Sequence, residues 1–228
     1  MMREQLTQSV EDYLKIIYLL TTEFGRATTT QIAEHMGIKP GSVTGMLQKM
    51  AETDPPLVDY QKHRGAVLTA HGEQVALEMI RHHRLLELFL YKQLGYRWDE
   101  VHSEADRLEH VISEDFEERI AHALGDPTRD PHGEPIPTRD FHLPPQSSLR
   151  LSDLRPGNWA RVQRVDAADE ELLRYLSTIG LLPQAKVTIL DYSVFDGNLR
   201  IQVSGQAEPV VLGTRVTSQI FMEDFHEQ

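Results

Sequence analysis

The chain has 228 residues, 40% of them hydrophobic, so it can form one large domain or two to three small domains with their own cores. It contains no cysteine, which excludes disulfides, thiolate zinc sites, iron–sulfur clusters and cysteine nucleophiles. Any metal ion must therefore be held by nitrogen and oxygen atoms.

The formal net charge of -12 is unevenly distributed along the sequence. Residues 1–72 carry seven basic and eight acidic side chains, whereas residues 73–145 carry eight basic and sixteen acidic ones. The N-terminal part can therefore present a basic surface to nucleic acid. No apolar run approaches the roughly 20 residues of a membrane span, and the N-terminus lacks a signal-peptide pattern, so we expect a cytoplasmic protein that does not contact membranes.

The first predicted element is an amphipathic helix near the N-terminus. Its apolar residues recur at helical spacing: Val10, Tyr13, Leu14, Ile17 and Leu20. Asp12 lies off this apolar stripe and close to the positive end of the helix dipole. Taken alone, it is explained by compensation of that dipole.

Residues 30–50 predict two short helices joined by a tight turn, which is the helix-turn-helix unit. Gly37 suits the left-handed position that ends the first of these helices, and Pro40 suits the first turn of the second. Two predicted strands follow, at 57–60 and 66–68, around a basic hairpin tip. A helix-turn-helix followed by such a hairpin is a winged helix, a DNA-binding module.

The DNA contacts of this winged helix are expected from the second helix and the hairpin tip. The residues assigned to DNA binding are Lys39, Pro40, Ser42, Thr44, Gln48, Lys49 and Arg64. The alternative is a helical hairpin with no DNA role. The basic tip disfavours that alternative, because it lies where a wing would meet backbone phosphate.

Three further helices are predicted, from about Thr69 to Leu94, from about Trp98 to Val111 and from Ser113 to Leu124. Potential metal ligands lie on the first two at helical spacing: His83 and Glu87 on the first, and His102, Asp106, Glu109 and His110 on the second. Because residues three and four apart share a helix face, both helices could present imidazole and carboxylate groups to one cavity. The alternative is a solvated polar face that binds nothing.

The apolar residues of the long helix spread over more than one stripe, and a chain of this size rarely covers so much surface by itself. We therefore expect a second copy of the chain to cover part of it. Residues 125–149, which contain six of the twelve prolines, predict a linker. His122, His132 and His142 lie in or near this linker at no ligand-like spacing, and we interpret them as not involved in metal binding.

The C-terminal part alternates as short strands do, and it predicts a small β-barrel. The strand candidates are Trp159–Val165, Lys186–Tyr192, Leu199–Val203 and Pro209–Leu212, with a short helix from about Glu170 to Ile179. The predicted fold is thus mainly α with a small β domain. It divides into a winged helix at 1–72, a helical region with the proline-rich linker at 73–145, and the barrel at 146–228.

The order of these parts resembles the diphtheria-toxin-repressor family of metal-dependent transcriptional repressors, and the resemblance covers nearly the whole chain. Its most specific motifs are RHHRLLE at residues 81–87 and VHSEADRLEH at residues 101–110. The motifs LSDLRPG at 151–157 and IGLLP at 179–183 resemble the SH3-like, FeoA-type barrel of the longer family members.

The resemblance implies a homodimer that binds palindromic double-stranded operator DNA upstream of metal-uptake genes, with divalent manganese or iron as the co-repressor. The implied primary metal site consists of Asp12, Asp106, Glu109 and His110. The implied ancillary site consists of His83, Glu87 and His102, with help from the barrel near Asp169. Iron-responsive members typically carry Met and Cys where this chain has Asp12 and Asp106, so the two aspartates imply the manganese-responsive branch.

Two positions depart from the family pattern. Short manganese regulators often carry a glutamate one turn after the first aspartate, where this chain has Lys15. An amide ligand expected three residues after Asp169 is replaced by Leu172.

Two other classes of protein are alternatives to a metal-dependent repressor. One is a winged-helix regulator gated by an organic ligand, in which the polar helices are merely solvated. The other is a helical di-metal enzyme built from the same histidines and carboxylates. The sequence contains no His-Glu-x-x-His motif and no nucleophile constellation, so we expect no enzymatic activity.

Overall fold

The computed structural model of the protein describes residues 6–166 and 169–226. The chain divides into two compact units. The first unit extends to His82 and includes Glu109–Val111 and Pro137–His142, and the second contains His83–Leu108, Ile112–Ile136 and the chain from Leu143 onward. The division into three domains stays a prediction. Among the described residues, no helix has both the length and the apolar character needed to cross a membrane.

The first unit contains the predicted winged helix. Its elements are α1 (Gln8–Phe24), α2 (Thr29–Met36), α3 (Pro40–Ala51), β1 (Val58–Gln61), β2 (Gly65–Leu68) and the beginning of α4 (Ala70–Leu94). Thr28 begins α2 with a capping box, in which it exchanges hydrogen bonds with Gln31. Gly37 ends α2 in the left-handed conformation, with φ 64, and Pro40 is the first residue of α3, as predicted.

A single apolar core holds α1 against the helix-turn-helix and the hairpin. Leu14 and Ile17 of α1, together with Leu47 of α3, are completely buried in it. Burying each such side chain contributes about 1.5–3 kcal/mol. Because the apolar face of α1 is used in this way, its polar face carries Asp12 on the side away from the core.

The second unit begins with three helices: the remainder of α4 from His83, α5 (Val101–Leu108) and α6 (Glu114–Ala123). The helix predicted from about Trp98 to Val111 is shorter in the structure, where α5 begins at Val101 and ends at Leu108. Ser113 caps α6 by accepting a hydrogen bond from the Phe116 backbone, and the preceding residues form the turn into this helix. Glu109 and His110 therefore lie beyond the helical part of the chain, where the i,i+4 rule no longer sets the direction of a side chain.

The C-terminal part of the second unit is a five-stranded antiparallel sheet with the strand order β6-β5-β4-β3-β7. The strands are β3 (Trp159–Val165), β4 (Lys186–Tyr192), β5 (Leu199–Val203), β6 (Val210–Leu212) and β7 (Ile220–His226), with the helices α7 (Glu170–Thr178) and α8 (Thr214–Thr217). The predicted closed barrel is corrected to an open sheet, since the described strands leave β6 and β7 as its two edges. Strand β7 was not predicted from the sequence.

Candidate metal centres

Three clusters of potential metal ligands lie within the two units. The first cluster, in the first unit, contains Asp12, Glu109 and His110. The Nε2 atom of His110 lies 3.0 Å from Asp12 Oδ1 and 3.5 Å from Glu109 Oε1. Glu109 is only 1% exposed. One imidazole nitrogen and two carboxylates thus converge at a largely buried position, as they do around a divalent cation.

Two further residues of α1 contact the first cluster. His110 Nδ1 lies 2.7 Å from Glu11 Oε2, so a hydrogen bond to the buried carboxylate of Glu11 orients the ring and leaves Nε2 facing Asp12. Metal-binding histidines usually have such a carboxylate partner on their second nitrogen. On the other side, Lys15 Nζ donates to Glu109 Oε1 at 2.6 Å. The lysine that departs from the family pattern therefore contacts a predicted ligand directly.

The second cluster, in the second unit, contains His83, Glu87, His102 and Asp106. Glu87 Oε1 lies 3.0 Å from His83 Nε2 and 3.1 Å from His102 Nδ1. The carboxylate of Asp106 lies 3.2 Å from His83 Nδ1 and 3.5 Å from His102 Nε2. Both pairs at i,i+4 spacing, His83 with Glu87 and His102 with Asp106, thus lie side by side as the helical pattern predicts.

The surrounding histidines control the charge of Glu87. Burial disfavours the ionised carboxylate, but the positive charge of His83, its hydrogen bond and that of His102, and the nearby His132 imidazole outweigh burial. As a result, the pKa of Glu87 lies well below its usual value. The carboxylate is thus held ionised inside the protein, which is the form that binds a cation.

The third cluster contains Asp130 and His132 from the segment after α6, together with the shared Glu87, and all three residues are buried. His132 Nδ1 lies 3.6 Å from Glu87 Oε2 and has no hydrogen-bond partner among the described residues. His132 Nε2 donates to the Trp98 carbonyl at 2.7 Å, so its other ring nitrogen is directed at Glu87. A buried nitrogen without a partner, facing an ionised carboxylate, fits a cation-binding role.

The titration of the third cluster reflects its burial. Burial, reinforced by the negative charge of Glu87, raises the pKa of Asp130 to about 7. Burial would lower the pKa of His132, but the nearby carboxylate of Glu87, together with the charge of Asp130, raises it to about 9. Without a metal, the third cluster therefore holds protons where a cation could bind.

His132, one of the linker histidines interpreted as not involved in metal binding, lies in a cluster of potential ligands. No periodicity in the sequence could have identified it, because its partner Glu87 lies on α4 and Asp130 lies in an irregular segment. The pair Asp130 and His132, two residues apart among prolines, was the sole local signal.

Two other predicted ligands, Asp106 and Asp169, have neighbours of their own. Asp106 lies with His83 and His102 in the second cluster, and its assignment to a primary site with Asp12 stays a prediction. Asp169 is the N-cap of α7, where its Oδ1 accepts hydrogen bonds from the backbone of Glu171 and Leu172. Among the described residues, it belongs to none of the three clusters.

The residues predicted to bind DNA lie on α3 and at the hairpin tip of the first unit. Lys39 precedes the first residue of α3, and four of the predicted residues on this helix are exposed: Pro40, Ser42, Gln48 and Lys49. The Thr44 hydroxyl donates to the Pro40 carbonyl at 3.2 Å. Arg64 is exposed beside Gln61 in the hairpin. Their contacts with DNA stay a prediction.

Comparison with known proteins identifies the chain. Three family models match consecutive segments: the N-terminal DNA-binding domain of iron-dependent repressors at residues 5–66, their metal-binding and dimerisation domain at residues 69–138, and the FeoA domain at residues 149–224. The iron-dependent repressor IdeR of Mycobacterium leprae is 35% identical over 196 residues, which are 81% of this chain and 84% of the relative. The chain belongs to the diphtheria-toxin-repressor family.

Other members of this family are similar to the chain as well. The regulator MntR of Shouchella clausii is 40% identical over 114 residues, covering 50% of this chain and 78% of the relative. A solved manganese-dependent transcriptional repressor in complex with manganese has a TM-score of 0.84 and 36% identity, covering 93% of this chain and 98% of that one. The prediction of a metal-dependent, DNA-binding transcriptional repressor is confirmed, and the metal-binding and dimerisation domain indicates a homodimer.

Proposed function

We propose that the protein is a manganese-responsive repressor that binds palindromic operators of metal-uptake genes as a homodimer. The observation that carries this proposal is the chemistry of the ligands. Each cluster combines imidazole nitrogen with carboxylate oxygen, in a chain without cysteine. Mn²⁺ is the weakest binder of the first-row divalent series and favours hard oxygen ligands, whereas sulfur ligands would favour softer ions. Because some relatives are named for iron and others for manganese, the proposed choice of metal rests on the ligand atoms of this chain.

The first ion is assigned to Asp12, Glu109 and His110. A divalent cation there would supply positive charge that offsets the repulsion between the carboxylates. Asp12 belongs to α1, whose apolar face packs on the helix-turn-helix, while Glu109 and His110 belong to the turn after α5. Joint ligation by these residues ties the turn to the helix that supports the DNA-binding elements. The metal stabilises the state in which α1 and the turn are ligated together, and in this proposal that state also binds DNA better, so metal and DNA each tighten the binding of the other.

Further ions are assigned to the clusters that share Glu87. Its two carboxylate oxygens face different partners: Oε1 faces His83 and His102, and Oε2 faces His132. Asp106 completes the second cluster, and Asp130 completes the third. Glu87 is therefore the residue on which metal binding in the second unit depends most.

The proposed DNA contacts follow from the winged helix. Lys49 and Arg64 contact phosphates, which gives affinity without sequence preference, and Ser42 and Thr44 contact base edges in the major groove. A homodimer places two such helices on half-sites about one helical turn of DNA apart, which requires a palindromic operator.

The test is selection of genomic fragments by the purified protein with and without Mn²⁺, followed by affinity measurement on the selected sites. We expect Mn²⁺ to tighten operator binding by roughly 5- to 150-fold. Asp12→Ala removes most of this effect, whereas Glu23→Ala, which removes an exposed acid from the same helix, leaves it intact. Equal affinity with and without metal, or selection of fragments unrelated to metal uptake, would contradict the proposal.

A further inference from the structure

The segment that carries His132 is attached to the first strand of the FeoA sheet. The Val165 amide of β3 donates to the His132 carbonyl at 2.9 Å. Glu134 accepts from Arg164 of the same strand at 2.9 Å, and its other oxygen accepts from Arg84 of α4 at 3.2 Å. A backbone hydrogen bond to β3 and the carboxylate of Glu134, which bridges the two elements, therefore help to hold this segment between β3 and α4.

The contact between the segment and β3 is too close for any side chain at Gly133. A Cβ atom there would lie 2.0 Å from the Gln163 carbonyl oxygen and 2.8 Å from the Arg164 Cα. The φ of Gly133 is +86, a conformation that side-chain-bearing residues rarely adopt. Both backbone shape and close approach thus require glycine next to His132.

The imidazole of His132 is fixed from a second side by Trp98. Its Nε2 donates to the Trp98 carbonyl, and the Trp98 side chain is 5% exposed in the same apolar core as the FeoA strands. Asp130 Oδ1 accepts from the backbone of His132 at 2.8 Å and of Glu134 at 2.9 Å, which closes the turn. The ring is therefore positioned by groups that belong to, or pack in, the FeoA domain.

From these contacts we infer that the FeoA domain acts on the third cluster by positioning His132, with Gly133 and Arg164 as positioning residues, and does so without contributing the Asp169 carboxylate as a ligand. The inference rests on the proposed role of the third cluster as a metal site. Outer contacts of this kind typically change metal affinity by roughly 10- to 100-fold when they are removed.

The experiment uses full-length protein with ¹⁵N-labelled histidine in an Asp12→Ala background, titrated with Zn²⁺ as a diamagnetic probe. The ring nitrogens of His132 report the third cluster, and those of His83 and His102 report the second. In the parent protein, we expect Zn²⁺ to shift the His132 Nδ1 resonance. In Gly133→Ala and in Arg164→Met, the affinity read from His132 falls roughly 10- to 100-fold, while His83 and His102 still respond.

Two further variants distinguish residues that position His132 from a metal ligand and from residues whose loss unfolds the protein. Asp169→Ser retains a capping oxygen for α7 but removes the carboxylate, and we expect it to bind Zn²⁺ as the parent does. Arg164→Lys retains the charge near Glu134 and should recover part of the affinity lost in Arg164→Met. Far-ultraviolet circular dichroism establishes that each variant is folded.

One kind of result would overturn only the positioning role of the FeoA domain, and another would overturn the third cluster itself. If His132 responds normally in both Gly133→Ala and Arg164→Met, or if Asp169→Ser alone loses the response, the FeoA domain does not act by positioning His132. If His132 of the parent protein does not respond to saturating Zn²⁺, the proposed third cluster fails, and the inference fails with it.

Discussion

The first cluster and the surroundings of Glu87 use the same kinds of ligand but balance their charge differently. In the first cluster, the ammonium group of Lys15 contacts Glu109. In the second unit, imidazole groups of His83, His102 and His132 surround Glu87. A lysine ammonium has no lone pair and can only compete with a cation for the carboxylate, whereas an imidazole can exchange its proton for a metal. Removing Lys15 should therefore strengthen metal binding at the first cluster, whereas removing a histidine should weaken metal binding around Glu87.

The largest effect is expected from Glu87→Gln, because this change removes the carboxylate shared by the second and third clusters. Mn²⁺ binding in the second unit should weaken by roughly 100-fold or more, above the range typical of outer contacts. The measurement is calorimetric titration with Mn²⁺. Glu73→Gln, an exposed acid on the same helix, is the control. Equal Mn²⁺ affinity of the wild-type protein and the Glu87→Gln variant would show that Glu87 is not the common ligand.

Lys15→Met tests the first cluster, where removal of the basic partner should strengthen metal binding. Removal of the competing ammonium should tighten Mn²⁺ binding at the first cluster by about tenfold, or about 1.4 kcal/mol. The metal-free protein should lose about 3 kcal/mol of stability, because the buried carboxylate of Glu109 loses its cationic partner. Lys15→Arg, which keeps the charge, should show neither change. Unaltered or weaker binding in the methionine variant would mean that Lys15 does not compete with the metal.

Asp106→Ala decides to which cluster this residue belongs. Its position beside His83 and His102 predicts that Zn²⁺ affinity read from the rings of these two histidines falls about tenfold, the lower end of the range for weakened metal sites. The ring of His110 should respond as in the wild type. Loss of the His110 response, with His83 and His102 unaffected, would instead support the primary site implied by the family resemblance.

The last effect, which is the smallest when measured over a single pH unit, concerns the pH dependence of the metal-free protein. Because the folded protein raises the pKa of Asp130 to about 7, Asp130 stays protonated between about pH 4 and pH 7 while the unfolded chain ionises. The stabilisation is complete below pH 4 and is lost as the pH rises towards 7, by about 1 kcal/mol per pH unit.

Asp130→Asn keeps the oxygen that accepts hydrogen bonds in the turn but removes this titration. Chemical unfolding in the presence of a chelator should therefore show the asparagine variant gaining stability relative to the wild type from pH 4 to pH 7. A difference that does not vary with pH would show that Asp130 does not titrate in this range.

The winged helix could be predicted well from the sequence because its signals are local. Gly37 and Pro40 mark the turn between α2 and α3, and the apolar spacing of α1 marks its buried face. Strand β7 was missed because its alternation is short: Ile220 and Met222 are buried, but the residues after Glu223 are exposed. Its partner β3 lies more than fifty residues earlier, so no hairpin signal marks the pair.

The spacing of the candidate ligands in the sequence explains part of their arrangement in the structure. The periodic pattern correctly brought His83, Glu87, His102 and Asp106 together on two helices. The same spacing includes Glu109 and His110, but the helix ends at Leu108, so helical spacing does not set the direction of these two side chains. His132 was missed because an irregular segment brings it to Glu87, and local spacing carries no information about such a contact.

The most direct measurement is an anaerobic titration of operator binding with Mn²⁺ and with Fe²⁺, made on the wild-type protein and on the double variant Asp12→Met with Asp106→Cys. Hard oxygen ligands at these positions predict that Mn²⁺ activates the wild type at the lower concentration. Sulfur ligands at the same positions should shift the preference towards Fe²⁺. Equal ratios of Mn²⁺ to Fe²⁺ activation in the two proteins, or operator binding that needs neither metal, would contradict a repressor whose carboxylates select manganese.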